Sequence, residues 1–144
     1  MTTENSDINK ILSATGEAVS QITDLMSSVD EKRINTIPYE DSWTAPQLLR
    51  HVTKSINGMA KALQMNAKPA ERDPGERIEE LKKVFLDFSK KMKSPEFIVP
   101  EDGTYEKQPT IDGLNKSFNQ FKDNVNSANQ MILLKDFLLD LLPN

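Results

Sequence analysis

The sequence lacks the residues on which several kinds of chemistry depend. It contains no cysteine, which excludes disulfides, thiolate nucleophiles and cysteine-ligated metals. It also has no Gly-rich phosphate loop, no Ser/His/Asp arrangement and no spaced pair of catalytic carboxylates. One histidine, His51, and one tryptophan, Trp43, are present, and both lie in the same short stretch. That stretch is therefore the first candidate for a functional site.

Positive charge and long apolar runs are also scarce. The 144 residues carry 18 Lys and Arg against 22 Asp and Glu, a formal net charge of -4. Binding to nucleic acid without sequence preference needs a surplus of cations, so we expect no nucleic-acid partner. The most apolar run, residues 131–142, is shorter than the roughly 20 apolar residues of a membrane span, so we expect no membrane partner. The polar, acidic N-terminus does not resemble a signal peptide, and with the absence of cysteine it favours a cytoplasmic location.

Apolar residues recur at intervals of three and four in four segments, which is the period of a helix with one buried face. Gly16 lies inside the first segment and weakens a helix by about 1 kcal/mol at most, so the pattern continues through it. Thr44 and Gln47 are spaced as a capping box before the second segment, and Asp73 with Pro74 forms a helix-start signature before the third. The predicted helices cover about residues 7–29, 45–65, 74–93 and 110 onward.

Two connecting segments interrupt this periodicity. Residues 34–43 contain Pro38, and residues 94–109 contain three prolines and a glycine, so neither segment is helical throughout. Residues 97–99 are apolar and are expected to pack on a helix face. We predict that the aromatic residues of the third and fourth helices lie in the core: Phe85, Phe88, Phe118 and Phe121. The chain length favours a single all-α domain over residues 1–144.

The apolar residues of 131–142 cover most of a helical circumference and leave a narrow polar wedge for Lys135, Asp136 and Asp140. Such a segment needs apolar cover on several sides. Either a partner subunit covers it or the sequence is cut short. The first alternative predicts a homodimer that associates through residues 131–142.

Residues 38–55, PYEDSWTAPQLLRHVTKS, resemble the start of the second helix in the DinB/YfiT-like superfamily, where a Trp-Ser/Thr loop leads into a helix with a metal-binding histidine. Residues 85–100, FLDFSKKMKSPEFIVP, resemble the third helix and following loop of bacterial members. The resemblance runs in order from the first helix to about residue 130. It implies an up-and-down four-helix bundle, often a homodimer.

The resemblance also implies a divalent metal, such as Zn, Ni or Mn, held near one end of the bundle by three histidines. His51 matches the first of these ligands. The other two have no counterpart, and the sequence stops at Asn144, about where the final His-bearing helix of the family would begin. A catalytic metal normally needs three protein ligands. Carboxylates could substitute, but the spacing of Asp112, Asp123 and Asp136 singles out none of them.

Each candidate residue also has a structural interpretation. We favour a half-buried His51 bonded to a backbone or hydroxyl partner over a metal ligand, and a packing role for Trp43 over stacking on a substrate. Tyr39 and Tyr105 are expected to pack in loops. A cluster of lysines in and after the third helix is expected to be a solvated face: Lys82, Lys83, Lys90, Lys91 and Lys93.

These interpretations lead to two main hypotheses. The first is a catalytically silent DinB-like bundle that binds a small ligand or acts as a homodimeric structural module. The alternative is a divalent-metal-dependent thiol (bacillithiol, mycothiol or glutathione) S-transferase or hydrolase with His51 as one ligand. A third hypothesis, a damage-response or toxin-like interaction module, comes from the family name alone.

Overall fold

A computed structural model describes residues 3–65, 71–73 and 75–127 of the chain. These residues form four α-helices and no strand, so the predicted all-α class is confirmed for them. The helices are α1 (Thr3–Ser28), α2 (Ala45–Ala62), α3 (Ile78–Phe85) and α4 (Lys107–Ser127), with one-turn 3-10 helices at Glu31–Arg33 and Glu96–Ile98.

The three long helices enclose the core, and α4 packs against both of the others. Lys107 at the start of α4 donates to the carbonyl of Ser27 at the end of α1 over 3.2 Å, so these two helices are antiparallel. Asn124 near the end of α4 donates to the carbonyl of Ala60 near the end of α2 over 3.0 Å, so these two are parallel. The core residues are Val19, Met26, Ile34, Leu49, Ile56, Ile111, Leu114 and Phe118.

The third helix is shorter than the sequence predicts and contributes no buried residue. It ends at Phe85, where the prediction extended to residue 93. Two residues later the side chain of Asp87 accepts hydrogen bonds from the backbone N–H and the hydroxyl of Ser89. Such local bonds compete with helical ones, which explains the early end. Phe85 is 44% exposed and Phe88 is 90% exposed, so their predicted place in the core is wrong.

The fourth helix begins three residues earlier than predicted, at Lys107. The prediction treated Pro109 as a break. In the structure Pro109 occupies the first turn of α4, where its missing N–H has no intrahelical partner to lose. The helix carries Phe118 into the core, and Phe121 packs against it, as predicted.

None of the helices in the described part of the chain is long and apolar enough to cross a membrane. Residues 131–142, on which the predicted homodimer depends, and Asp136 lie outside the described residues.

Candidate functional site

The site is built from the start of α2. The hydroxyl of Thr44 accepts from the backbone N–H of Gln47 over 3.4 Å, and the side chain of Gln47 accepts from the backbone N–H of Thr44 over 3.0 Å. This confirms the predicted capping box, which satisfies two backbone donors that the helix itself leaves unpaired. The cap sets where α2 starts, and the helical period then places residues three and four apart on the same face.

Trp43 and His51 lie against each other, with ring centroids 5.0 Å apart and planes tilted by 42°. The Nδ1 of His51 is 2.9 Å from the carbonyl oxygen of Ile98. A carbonyl can only accept, so Nδ1 carries a proton in this bond. The half-buried histidine thus has a backbone partner, as the favoured structural interpretation expected.

His51 is one of four polar side chains that hold the loop before α4 against α2. Gln47, Arg50, His51 and Lys54 share one helix face at spacings of three and four, and we call them the polar stripe. Gln47 donates to the carbonyl of Glu101 over 3.4 Å, and Lys54 donates to the carbonyl of Val99 over 2.7 Å. The polar stripe therefore binds the carbonyls of Ile98, Val99 and Glu101, three of the four residues 98–101.

The carboxylate of Glu101 is the centre of charge at this contact. Its Oε2 is 3.0 Å from Nε of Arg50, and its Oε1 is 2.8 Å from Nζ of Lys54. Hydrogen bonds from these two cations lower the pKa of Glu101 from 4.5 to about 2. The glutamate is therefore ionised at any physiological pH.

The same loop is fixed on its other side by Asn35 and Tyr105. The side-chain amide of Asn35 donates to the carbonyl of Tyr105 over 2.9 Å and accepts from its backbone N–H over 2.9 Å. The Tyr105 hydroxyl donates to the carbonyl of Glu101 over 2.6 Å. Burial first, and then the negative charge of Glu101, raise the pKa of Tyr105. Between these residues Gly103 has a φ of 131°, a conformation that favours glycine, and it lets the loop reverse toward α4.

An open cleft of about 560 Å³ lies between α2, this loop and the first turns of α4. Its volume falls within the range of about 300–1,000 Å³ that is typical of small-molecule sites. Its walls include Arg50, Thr53, Glu101, Tyr105, Thr110 and Gly113. A small molecule in this cleft would contact the loop and two of the three core helices.

The described residues do not fit the metal site that the family resemblance implies. No group of three His, Asp or Glu side chains that could hold a metal occurs in residues 3–65, 71–73 and 75–127. Asp112 and Asp123 are exposed on α4 and join no such group with His51. Among these residues, His51 is a candidate ligand without companions.

Sequence reasoning found His51 and Trp43 but missed the residues that organise the cleft. Arg50, Lys54 and Glu101 went unnoticed, and Tyr105 was considered only as a loop-packing residue. A signal was available, since a polar stripe with helical spacing runs beside the apolar stripe of α2. The spacing alone, however, does not identify the loop that the stripe binds.

No family model, curated protein or solved structure matches this chain. Function is therefore proposed from the geometry and chemistry of the described residues.

Proposed function

We propose that this chain is a DinB/YfiT-like helical bundle that binds a small molecule in the cleft between α2 and α4 and does not itself catalyse a reaction. The family assignment rests on residues 38–55 and 85–100, and the directions of α1, α2 and α4 are compatible with an up-and-down bundle. The binding role rests on the cleft.

The observation that carries the proposal is that the cleft is rich in hydrogen-bond acceptors. Three of the hydroxyls on its lining residues already donate their protons to backbone carbonyls: Thr53 to Leu49, Tyr105 to Glu101 and Thr110 to Glu106. A hydroxyl that has donated its proton can only accept a further bond. These residues therefore offer acceptors to a ligand.

The charged lining residues favour the same kind of ligand. Asp102 and Glu106 contribute two carboxylates in addition to Glu101, whose two oxygens already pair with Arg50 and Lys54, and Arg50 contributes one guanidinium. Arg50 directs Nε and Nη2 to Glu101, so much of its donor capacity is already used. A small molecule that donates hydrogen bonds and carries positive charge, such as an aliphatic diamine, matches this lining better than a dicarboxylate does.

Thermal unfolding with added putrescine, and in parallel with succinate, tests the proposal. Binding to the folded state raises the melting temperature, and at 100 times the Kd the stabilisation is about 2.7 kcal/mol. We expect putrescine to raise the melting temperature at millimolar concentration and succinate to leave it unchanged. Equal shifts with both compounds, or none with putrescine, would contradict the proposed ligand class.

Gly113 provides a matched pair of variants for this test. A Cβ added at Gly113 meets no atom within 4 Å, so Gly113→Leu can extend into the cleft without a backbone clash. Gly113→Ala changes the helix propensity in the same direction but adds a single methyl group. We expect Gly113→Leu to abolish the putrescine shift and Gly113→Ala to retain it. Retention in both would place the binding outside the cleft.

The second candidate function is the divalent-metal-dependent thiol S-transferase or hydrolase with His51 as a ligand. One observation favours it: the Nδ1 of His51 bonds a backbone carbonyl, as the second nitrogen of a metal-bound histidine usually does. Metal analysis of the purified full chain tests this candidate. Stoichiometric Zn, Ni or Mn that is lost in His51→Asn would support it, and less than a tenth of an equivalent in the native chain would remove it.

A further inference from the structure

The helix α3 presents an apolar face that the rest of the described chain leaves largely open. Ile78, Leu81 and Phe85 share this face at spacings of three and four, and Ile78 is 48% and Phe85 44% exposed. Two apolar residues just after the helix are also exposed to solvent, Leu86 at 63% and Phe88 at 90%. Several large apolar side chains exposed close together are typical of a surface that another protein segment covers. We call these five residues, three on α3 and two just after its end, the α3 face.

The helix α3 contributes no buried side chain to the core, so the core does not stabilise it. All the buried apolar side chains of the described residues lie on α1, α2, α4 and the adjoining loops. An isolated helix of eight residues is marginal in water, since helices shorter than about 12–15 residues rarely hold without packing. The α3 face therefore needs cover of its own.

Residues 131–142 form a second segment whose apolar side chains require cover. All of residues 131–142 are apolar except Lys135, Asp136 and Asp140. As a helix this segment would be about 18 Å long, and the eight residues of α3 cover about 12 Å. The segment is therefore long enough to span α3 together with Leu86 and Phe88, and it has more apolar surface than one helix can bury alone.

The helix ends from which the chain continues toward the two segments, those of α2 and α4, lie at the same end of the bundle. The end of α4 lies beside the end of α2, because Asn124 bonds the carbonyl of Ala60 over 3.0 Å. The chain leaves this end once toward α3 and once, after Ser127, toward residue 131. The three residues 128–130 can span up to about 14 Å between flanking Cα atoms. Residues 128–130 on one side and the linker of residues 63–77 on the other tether the two segments to this end, which raises the effective concentration of one near the other.

The charges near the α3 face also suit residues 131–142. Lys82 pairs with Glu79 and Lys90 pairs with Asp87, whereas Lys83, Lys91 and Lys93 form no ion pair within the described residues. The apolar segment carries two aspartates and one lysine. Its small negative excess is complementary to the positive excess near the α3 face, which would favour approach of the two segments.

We propose that residues 131–142 pack across the α3 face of the same chain. This contact covers the two apolar surfaces together and adds a further layer to the bundle formed by α1, α2 and α4. It does not depend on a ligand in the cleft. A second copy of the chain is the competing occupant, and the experiment distinguishes the two.

The absence of cysteine makes disulfide mapping direct, because any introduced pair is the only one in the chain. The full-length double variant Phe88→Cys with Leu138→Cys is oxidised with copper phenanthroline, which removes two electrons and two protons from the thiols. The matched control is Ile37→Cys with Leu138→Cys. Ile37 is 61% exposed and lies in the loop before α2, at the opposite end of the bundle.

Non-reducing gels and intact mass report the products. We expect a monomer with an internal disulfide in the Phe88→Cys pair, at least tenfold more abundant than in the control. A disulfide-linked dimer as the main product would overturn the proposal and favour the homodimer predicted from the sequence. Equal yields in both pairs would overturn it as well.

Hydrogen exchange gives a second readout that needs no cross-link. In the full chain carrying Leu138→Asp with Leu142→Asp, we expect the amides of residues 78–85 to exchange at least tenfold faster than in the native chain. The amides of α2 should exchange at the native rate, which shows that the bundle is still folded. Unchanged exchange in residues 78–85 would contradict the proposed contact.

Discussion

The Nδ1 of His51 donates a hydrogen bond of 2.9 Å to the carbonyl of Ile98. This bond connects the loop before α4 to the second turn of α2. Ile98 is itself buried, at 7% exposure, so its carbonyl has little access to water. The sole histidine of the chain thus positions a loop that forms one wall of the cleft. This backbone partner is sufficient for a structural role of His51.

Replacing His51 with Phe tests this bond. The phenyl ring can still pack against Trp43, but it leaves the carbonyl of Ile98 without its donor. We expect the free energy of unfolding to fall by about 1–3 kcal/mol, the usual effect of leaving a buried polar group unpaired. Urea unfolding measures the change. A stability equal to that of the native chain would show that the bond contributes nothing.

Acid should weaken the contact between Glu101 and the polar stripe. The pKa of Glu101 is about 2 in the folded chain and 4.5 ordinarily, so the folded state binds its proton less tightly. The resulting stabilisation is fully present above pH 4.5 and is lost as the pH falls toward 2. Urea unfolding across this range should show a shallower loss in Glu101→Gln than in the native chain. Asp102→Asn serves as the control, since it removes a neighbouring charge and keeps the ion pairs with Arg50 and Lys54.

The free energy of unfolding should fall when either of the two hydrogen bonds between Asn35 and Tyr105 is lost. Asn35→Asp keeps an acceptor for the backbone N–H but loses the donor to the carbonyl, and Asn35→Leu loses both. Each lost bond is expected to lower the free energy of unfolding by about 0.5–1.5 kcal/mol, so the leucine variant should be the less stable. Chemical denaturation ranks the two variants. The reverse order would mean that the paired bonds do not hold the loop.

Two glycines in long helices should respond differently to alanine. A Cβ at Gly113 meets nothing within 4 Å, whereas a Cβ at Gly16 would lie 3.2 Å from the ring of Phe118. The gain in helix propensity is about 0.5–1 kcal/mol at either position, and only Gly16→Ala must displace a core ring. We expect Gly113→Ala to raise the melting temperature. Gly16→Ala should melt at a lower temperature than Gly113→Ala. Equal effects in calorimetry would show that Phe118 moves aside freely.

The residues that were predicted well are those whose structure depends on near neighbours. The capping box of Thr44 and Gln47 involves residues three apart, and the apolar period of α2 extends over a few turns. The length of α3 was predicted poorly because the apolar period continues through Phe88 and Met92, while the Asp87–Ser89 hydrogen bonds end the helix. A strong period does not reveal such a local competitor.

The amino-acid sequence by itself determined the all-α class and the start of α2, because both follow from interactions within a few turns of chain. Only the tertiary structure decided that Glu101 meets Arg50 and Lys54, that Asn35 bonds Tyr105, and that these contacts bound a cleft. The partners in these contacts are between 47 and 70 residues apart in the chain. Periodicity shows which face of a helix is polar, but the partner of that face depends on how the helices pack and where the loops between them return.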